Sequence, residues 1–72
     1  MAFDGETLRE AALEIERQTG VHFEFAEASI GDLRIGGYIS ATDVAGFSRL
    51  MEDKLGLKIE RDPSGIMRVR KN

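Results

Sequence analysis

The sequence contains no cysteine and a single histidine, and its apolar stretches are only a few residues long. Without cysteine there is no disulfide framework and no thiolate metal site, so the core must come from Phe3, Phe23, Phe25, Phe47 and the aliphatic residues. The short apolar stretches fall far below the roughly 20 residues needed to cross a bilayer, so this domain is not expected to span a membrane. With His22 as its only imidazole, and that on the predicted solvent face of a strand, the chain cannot assemble a nucleophile–histidine–carboxylate triad. At 72 residues it is one small domain, and a chain of this size buries only about 60% of its unfolded surface. A deep, dry catalytic cleft is not expected. Neither an enzymatic activity nor a cofactor is expected from these residues.

Charge is present in quantity but not in the sign that nucleic acid requires. The net charge is −3, whereas nucleic-acid binding rests on a basic excess that displaces counterions from phosphates. Its distribution is uneven. Residues 1–32 hold eight acids against Arg9 and Arg17, or −6, and residues 33–72 hold five acids against eight bases, or +3. Such asymmetry can steer a partner with complementary patches, and it equally serves solubility. Neighbouring carboxylates, Glu10 with Glu14 and Glu52 with Asp53, fall on predicted exposed helix faces, away from any cleft that would shift their pKa values. Asp32, Asp43, Asp53 and Asp62 do not follow a calcium-loop spacing, and no metal site is expected.

Local patterns divide the chain into elements. Thr7 followed three residues on by Glu10 has the form of a capping box, and Leu8, Ala11, Ala12 and Ile15 then recur at helical spacing as far as Gly20. The spacing predicts a helix over 7–19. Val21, Phe23 and Phe25 alternate with His22, Glu24 and Ala26, which predicts a half-buried strand over 21–26. Residues 28–32 read as a turn. Over 33–40, Leu33, Ile35 and Ile39 point one way and Arg34, Tyr38 and Ser40 the other, with Gly36-Gly37 as a bulge or bend. Thr42 or Asp43 caps a second helix over 43–55, whose stripe is Val44, Phe47, Met51 and Leu55, flanked by Leu50 and ended by Gly56. Leu57 and Ile59, then Met67 and Val69, flank the turn Asp62-Pro63-Ser64-Gly65 and predict a terminal hairpin with Ile59 opposite Val69 and Glu60 opposite Arg68. A first strand over 2–4 completes the set.

The two halves repeat at an offset of 36 residues. Phe3 falls on Ile39, Leu8 on Val44, Ala11 on Phe47, Ile15 on Met51, Gly20 on Gly56, and Val21-His22-Phe23-Glu24 on Leu57-Lys58-Ile59-Glu60. The expected fold is therefore α+β, two β-α-β motifs and a C-terminal β-hairpin, with two helices packed with small sheets around a shared core.

Residues outside this core pattern are the candidates for binding. Leu13 lies off the buried stripe of the first helix, and Tyr38 points away from Ile35 and Ile39. Either marks a contact surface or is one of the scattered exposed apolar residues of any protein. Gly36-Gly37 is no phosphate cradle, since no G-x-G-x-x-G follows; glycines in a strand do permit close approach of another backbone. Gly36, Gly37 and Tyr38, then Leu13, are thus the candidate partner-binding residues. The basic row Lys58, Arg68 and Arg70 is expected to protect an edge strand.

The runs Phe3-Asp4-Gly5-Glu6-Thr7-Leu8, Glu14-Ile15-Glu16-Arg17-Gln18-Thr19-Gly20 and Asp32-Leu33-Arg34-Ile35-Gly36-Gly37-Tyr38, with Thr42-Asp43-Val44, Phe47 and Gly56-Leu57, resemble the C-terminal domain of FecR-type anti-sigma regulators. That domain is similar to the short N-terminal signalling domain of secretins and TonB-dependent receptors. The resemblance spans nearly the whole chain and implies a periplasmic domain of a larger inner-membrane protein. Its implied partners are the signalling domain of an outer-membrane TonB-dependent transducer and, through a cytoplasmic part outside this sequence, an extracytoplasmic-function sigma factor. The implied signal is of the iron or siderophore type. Receptor-side signalling domains more often begin the first helix with proline, where Glu6-Thr7-Leu8 stands here. The alternatives are such a receptor or secretin domain itself, or a ferredoxin-like sensor of small ligands. An acylphosphatase-like enzyme would need an arginine and an asparagine at a phosphate loop, and the only asparagine is Asn72.

Overall fold

The computed structural model describes residues 2–72, with side chains from residue 5 onward. The side chain of Phe3, expected in the core, lies outside the described residues. The elements in order are β1 (Ala2–Thr7), α1 (Leu8–Thr19), β2 (Phe23–Phe25), α2 (Ala28–Gly31), β3 (Arg34–Tyr38), α3 (Val44–Leu55), β4 (Leu57–Arg61) and β5 (Met67–Lys71). The α+β class is as expected, with one added helix.

Local chemistry fixes both long helices at their ends. Thr7 Oγ1 accepts from the Glu10 amide at 3.2 Å while Glu10 Oε1 accepts from the Thr7 amide at 3.3 Å, so two otherwise unpaired donors are satisfied reciprocally. Of the two caps proposed for α3, Asp43 serves: its Oδ1 accepts from the Gly46 amide at 2.8 Å. Both helices stop on a glycine in the left-handed region, Gly20 at φ 79° and Gly56 at φ 65°. A side chain is disfavoured there by its own backbone, and these two stops lie 36 positions apart, as the repeat requires.

The repeat is realised in the topology. The first strands of the two halves, β1 and β3, pair antiparallel in a two-stranded sheet; the last strands, β2 and β4, flank β5 in a three-stranded sheet. Within each half, then, the helix carries the chain from one sheet to the other. β5 runs parallel to β2 and antiparallel to β4, with Ile59 opposite Val69 and Glu60 opposite Arg68 as the turn chemistry predicts. The strands divide between two sheets, unlike the single sheet of a ferredoxin-like domain.

Leu8, Ala11, Ala12 and Ile15 from α1 meet Phe47 and Met51 from α3, and Phe23, Ile30, Ile35, Leu57 and Val69 close one buried cluster. Phe25 packs against it from the margin. Burial of the large side chains contributes about 1.5 to 3 kcal/mol each.

Four expectations are corrected. Residues 28–31 form a short helix rather than a turn. It is held from outside its own sequence: Arg9 Nη2 donates to the Ala28 carbonyl at 3.0 Å and Arg9 Nη1 to Asp32 Oδ1 at 2.6 Å. The irregularity in the two-stranded sheet falls between Asp4 and Glu6, at Gly5 with φ 86°, rather than at Gly36-Gly37. Leu33 precedes β3 instead of alternating within it, and remains 39% exposed. Finally, β5 is the central strand of its sheet, so Arg68 and Arg70 do not guard an edge.

Candidate functional site

The residues expected to bind a partner divide between two places. Gly36, Gly37 and Tyr38 lie together on β3, where Gly36 faces Asp4 of β1, Gly37 faces Phe3 and Tyr38 faces Ala2. Among the described residues β3 has a strand on one side only, so its second side offers backbone donors and acceptors to an incoming chain. Gly37 sits at φ 112°, and a Cβ built on it would meet nothing within 4 Å. Glycine is thus required there by backbone conformation, in open space. Tyr38 is 77% exposed.

Leu13 belongs elsewhere. It is 52% exposed on α1 and lines a groove of about 300 Å³ with Ala12, Phe23 and Phe25, rimmed by Arg9, Glu16 and His22. β2 forms one border of its sheet. His22 is on the solvent side as predicted, with Nδ1 2.8 Å from Glu16 Oε2.

On the three-stranded sheet, Arg68 and Arg70 pair with carboxylates of neighbouring elements. Arg68 on central β5 reaches Glu24 of β2 and, at 3.0 Å, Asp62 in the turn; Arg70 Nε donates to Glu60 Oε1 of β4 at 2.8 Å. Arg70 holds the Glu60 carboxyl below its ordinary range, first by this hydrogen bond and then by its charge, with Lys58 adding to it. The Glu10 carboxyl is also lowered, by the Thr7 amide and hydroxyl of its capping box and by nearby Arg34. A depression of about 350 Å³ opens among Glu24, Glu60, Asp62, Arg68 and Arg70. Of the three arginines that line it, Arg68 and Arg70 already have carboxylate partners. Among the described residues, no group of three or more histidines and carboxylates is placed to hold a metal ion.

A third surface was not legible in the sequence. Between β3 and α3, Arg34, Ile35, Gly36, Leu50, Lys54 and Leu55 line a groove of about 170 Å³. A second groove of about 370 Å³ shares Leu55 and continues past Leu33 and Leu57 towards Lys71. Leu50, flanking the helical stripe, was the one sequence signal for it. No family model matches the chain, and no curated protein matches it. Among the described residues no helix is long and apolar enough to cross a membrane.

Proposed function

We propose that this domain is the periplasmic signal-receiving domain of a transmembrane anti-sigma regulator. It binds the signalling domain of a TonB-dependent outer-membrane transducer, and the rest of its protein controls an extracytoplasmic-function sigma factor in iron- or siderophore-type signalling. It relays by binding and catalyses nothing. The supporting observation is the free side of β3, with Tyr38 exposed beside Gly36 and Gly37. A partner strand laid there would gain main-chain hydrogen bonds and an aromatic contact, the mode known as β-augmentation.

Two further features support the reading. The two β-α-β halves with matched glycine stops are what the resemblance to FecR-type C-terminal domains calls for. The capping-box start of α1 at Thr7, in place of proline, favours the regulator side over the receptor side. The test is calorimetric titration of the chain with purified signalling domains of TonB-dependent transducers. A saturable complex is expected with at least one of them, weakened about tenfold by Tyr38→Ala, as for an aromatic interface anchor. No complex across the panel, or full affinity for the tyrosine variant, would overturn it.

A further inference from the structure

We propose that the surface between β3 and α3 takes an extended segment of the partner in which apolar and acidic residues alternate. This rests on the partner-binding reading above and adds the chemistry of what is bound. The two grooves joined at Leu55 have an apolar floor in Leu33, Leu50 and Leu55, and none of their lining residues is aspartate or glutamate. That is a marked bias in a chain with 13 acids and 10 bases. The charged residues along them are Arg34, Lys54 and Lys71.

These cations are not equally available. Lys71 is tied to Glu27 at 3.2 Å. Arg34 donates one hydrogen to the Gly5 carbonyl at 2.5 Å and lies near enough to Glu10 to lower its pKa, yet it has no ion pair among the described residues. Lys54 has neither an ion pair nor a hydrogen bond among the described residues. Arg34 and Lys54 are both exposed and flank the apolar floor.

The alternation follows from strand geometry. Successive side chains of β3 point to opposite faces, Ile35 into the core and Arg34 and Gly36 outward. A strand added beside β3 shares those faces, so its inward residues meet Ile35, Leu50 and Leu55 and must be apolar. Its outward residues meet Arg34 and are best acidic. Gly36 leaves the outward face beside Arg34 without a side chain to obstruct them.

The probe is a short peptide of alternating leucine and glutamate, followed by amide chemical shifts and fluorescence anisotropy, beside a leucine–lysine peptide of the same length. The acidic peptide is expected to shift residues 34–38 and 50–57 and to lose affinity as salt rises. The double variant Arg34→Glu/Lys54→Glu should weaken it by about tenfold or more and accept the basic peptide instead. That exchange cannot come from a variant that fails to fold. Equal binding of both peptides to the parent chain, or shifts confined to the Leu13 groove, would overturn the proposal. So would self-association of the chain through the same residues, which would assign the surface to a second copy. If transducer domains bind and the acidic peptide does not, this inference fails and the functional reading stands; the opposite result removes the proposed partner and keeps the groove's chemistry.

Discussion

Phe23 and Phe47 meet edge to face, with ring centroids 5.2 Å apart and ring planes at 84°. Phe23 comes from the last strand of the first β-α-β half and Phe47 from the helix of the second, so this contact joins the two halves. Aromatic pairs in this arrangement contribute about 0.5 to 1.5 kcal/mol beyond the area they bury.

Phe47→Ala is therefore expected to cost about 3 to 5 kcal/mol, a large share of the stability of so small a domain. In urea melts, the double variant with Phe23→Ala should cost less than the two single effects combined. Strict additivity would mean that the halves do not meet through this pair.

The left-handed helix stops give a second expectation. Neither Gly20 nor Gly56 has a neighbour within 4 Å of a Cβ placed on it, so alanine at either position is penalised by backbone conformation alone. Each substitution should cost about 1 to 2 kcal/mol. Similar losses at both sites in denaturant melts would match the structural repeat, whereas a neutral result at either would contradict the observed backbone there.

The turn between β4 and β5 should make stability depend on acid. Asp62 Oδ1 accepts from the Ser64 hydroxyl at 2.5 Å and from the amides of Ser64 and Ile66 at 2.9 and 3.0 Å. These bonds, the Ser64 hydroxyl foremost and with Arg68 assisting, lower its pKa from 3.8 to about 2. A carboxylate lowered on folding stabilises the native state above its unfolded pKa and ceases to do so as pH falls through the folded value. Stability should thus decline between pH 3.8 and about 2. Asp62→Asn should flatten that decline, leaving the smaller part due to Glu10 and Glu60; an unchanged profile would contradict the turn's role.

Ser48 on α3 has a buried hydroxyl with no hydrogen-bond partner among the described residues. A buried polar group left unpaired is costly, so Ser48→Ala should raise stability by about 1 kcal/mol. A loss of that size in thermal melts would show that the hydroxyl is satisfied in solution.

The parts of the fold legible in the sequence are those fixed within a few residues. Thr7 with Glu10, the stops at Gly20 and Gly56, and the Asp62–Gly65 turn are local devices, and each holds its predicted element. What escaped depends on residues far apart in the chain. Arg68 and Arg70 read as edge charges because nothing local shows that β2 will lie along β5, bringing Glu24 to Arg68 across 44 positions. Helix α2 is too short for a periodicity and is held by Arg9, 19 positions before Ala28. The same holds for the candidate site: Gly36, Gly37 and Tyr38 are adjacent in sequence and so fall on one strand. The wall that Leu50, Lys54 and Leu55 raise opposite them exists only once α3 has packed.

The most direct measurement is amide hydrogen exchange of this chain, free and in complex with a transducer signalling domain. A partner strand added to β3 would bury the open amides of that strand and slow their exchange. Strong new protection within residues 34–38, with little change in 57–71, is the predicted result. Protection confined to 57–71, or to 22–26 beside the Leu13 groove, with β3 exchanging as freely as before, would contradict it.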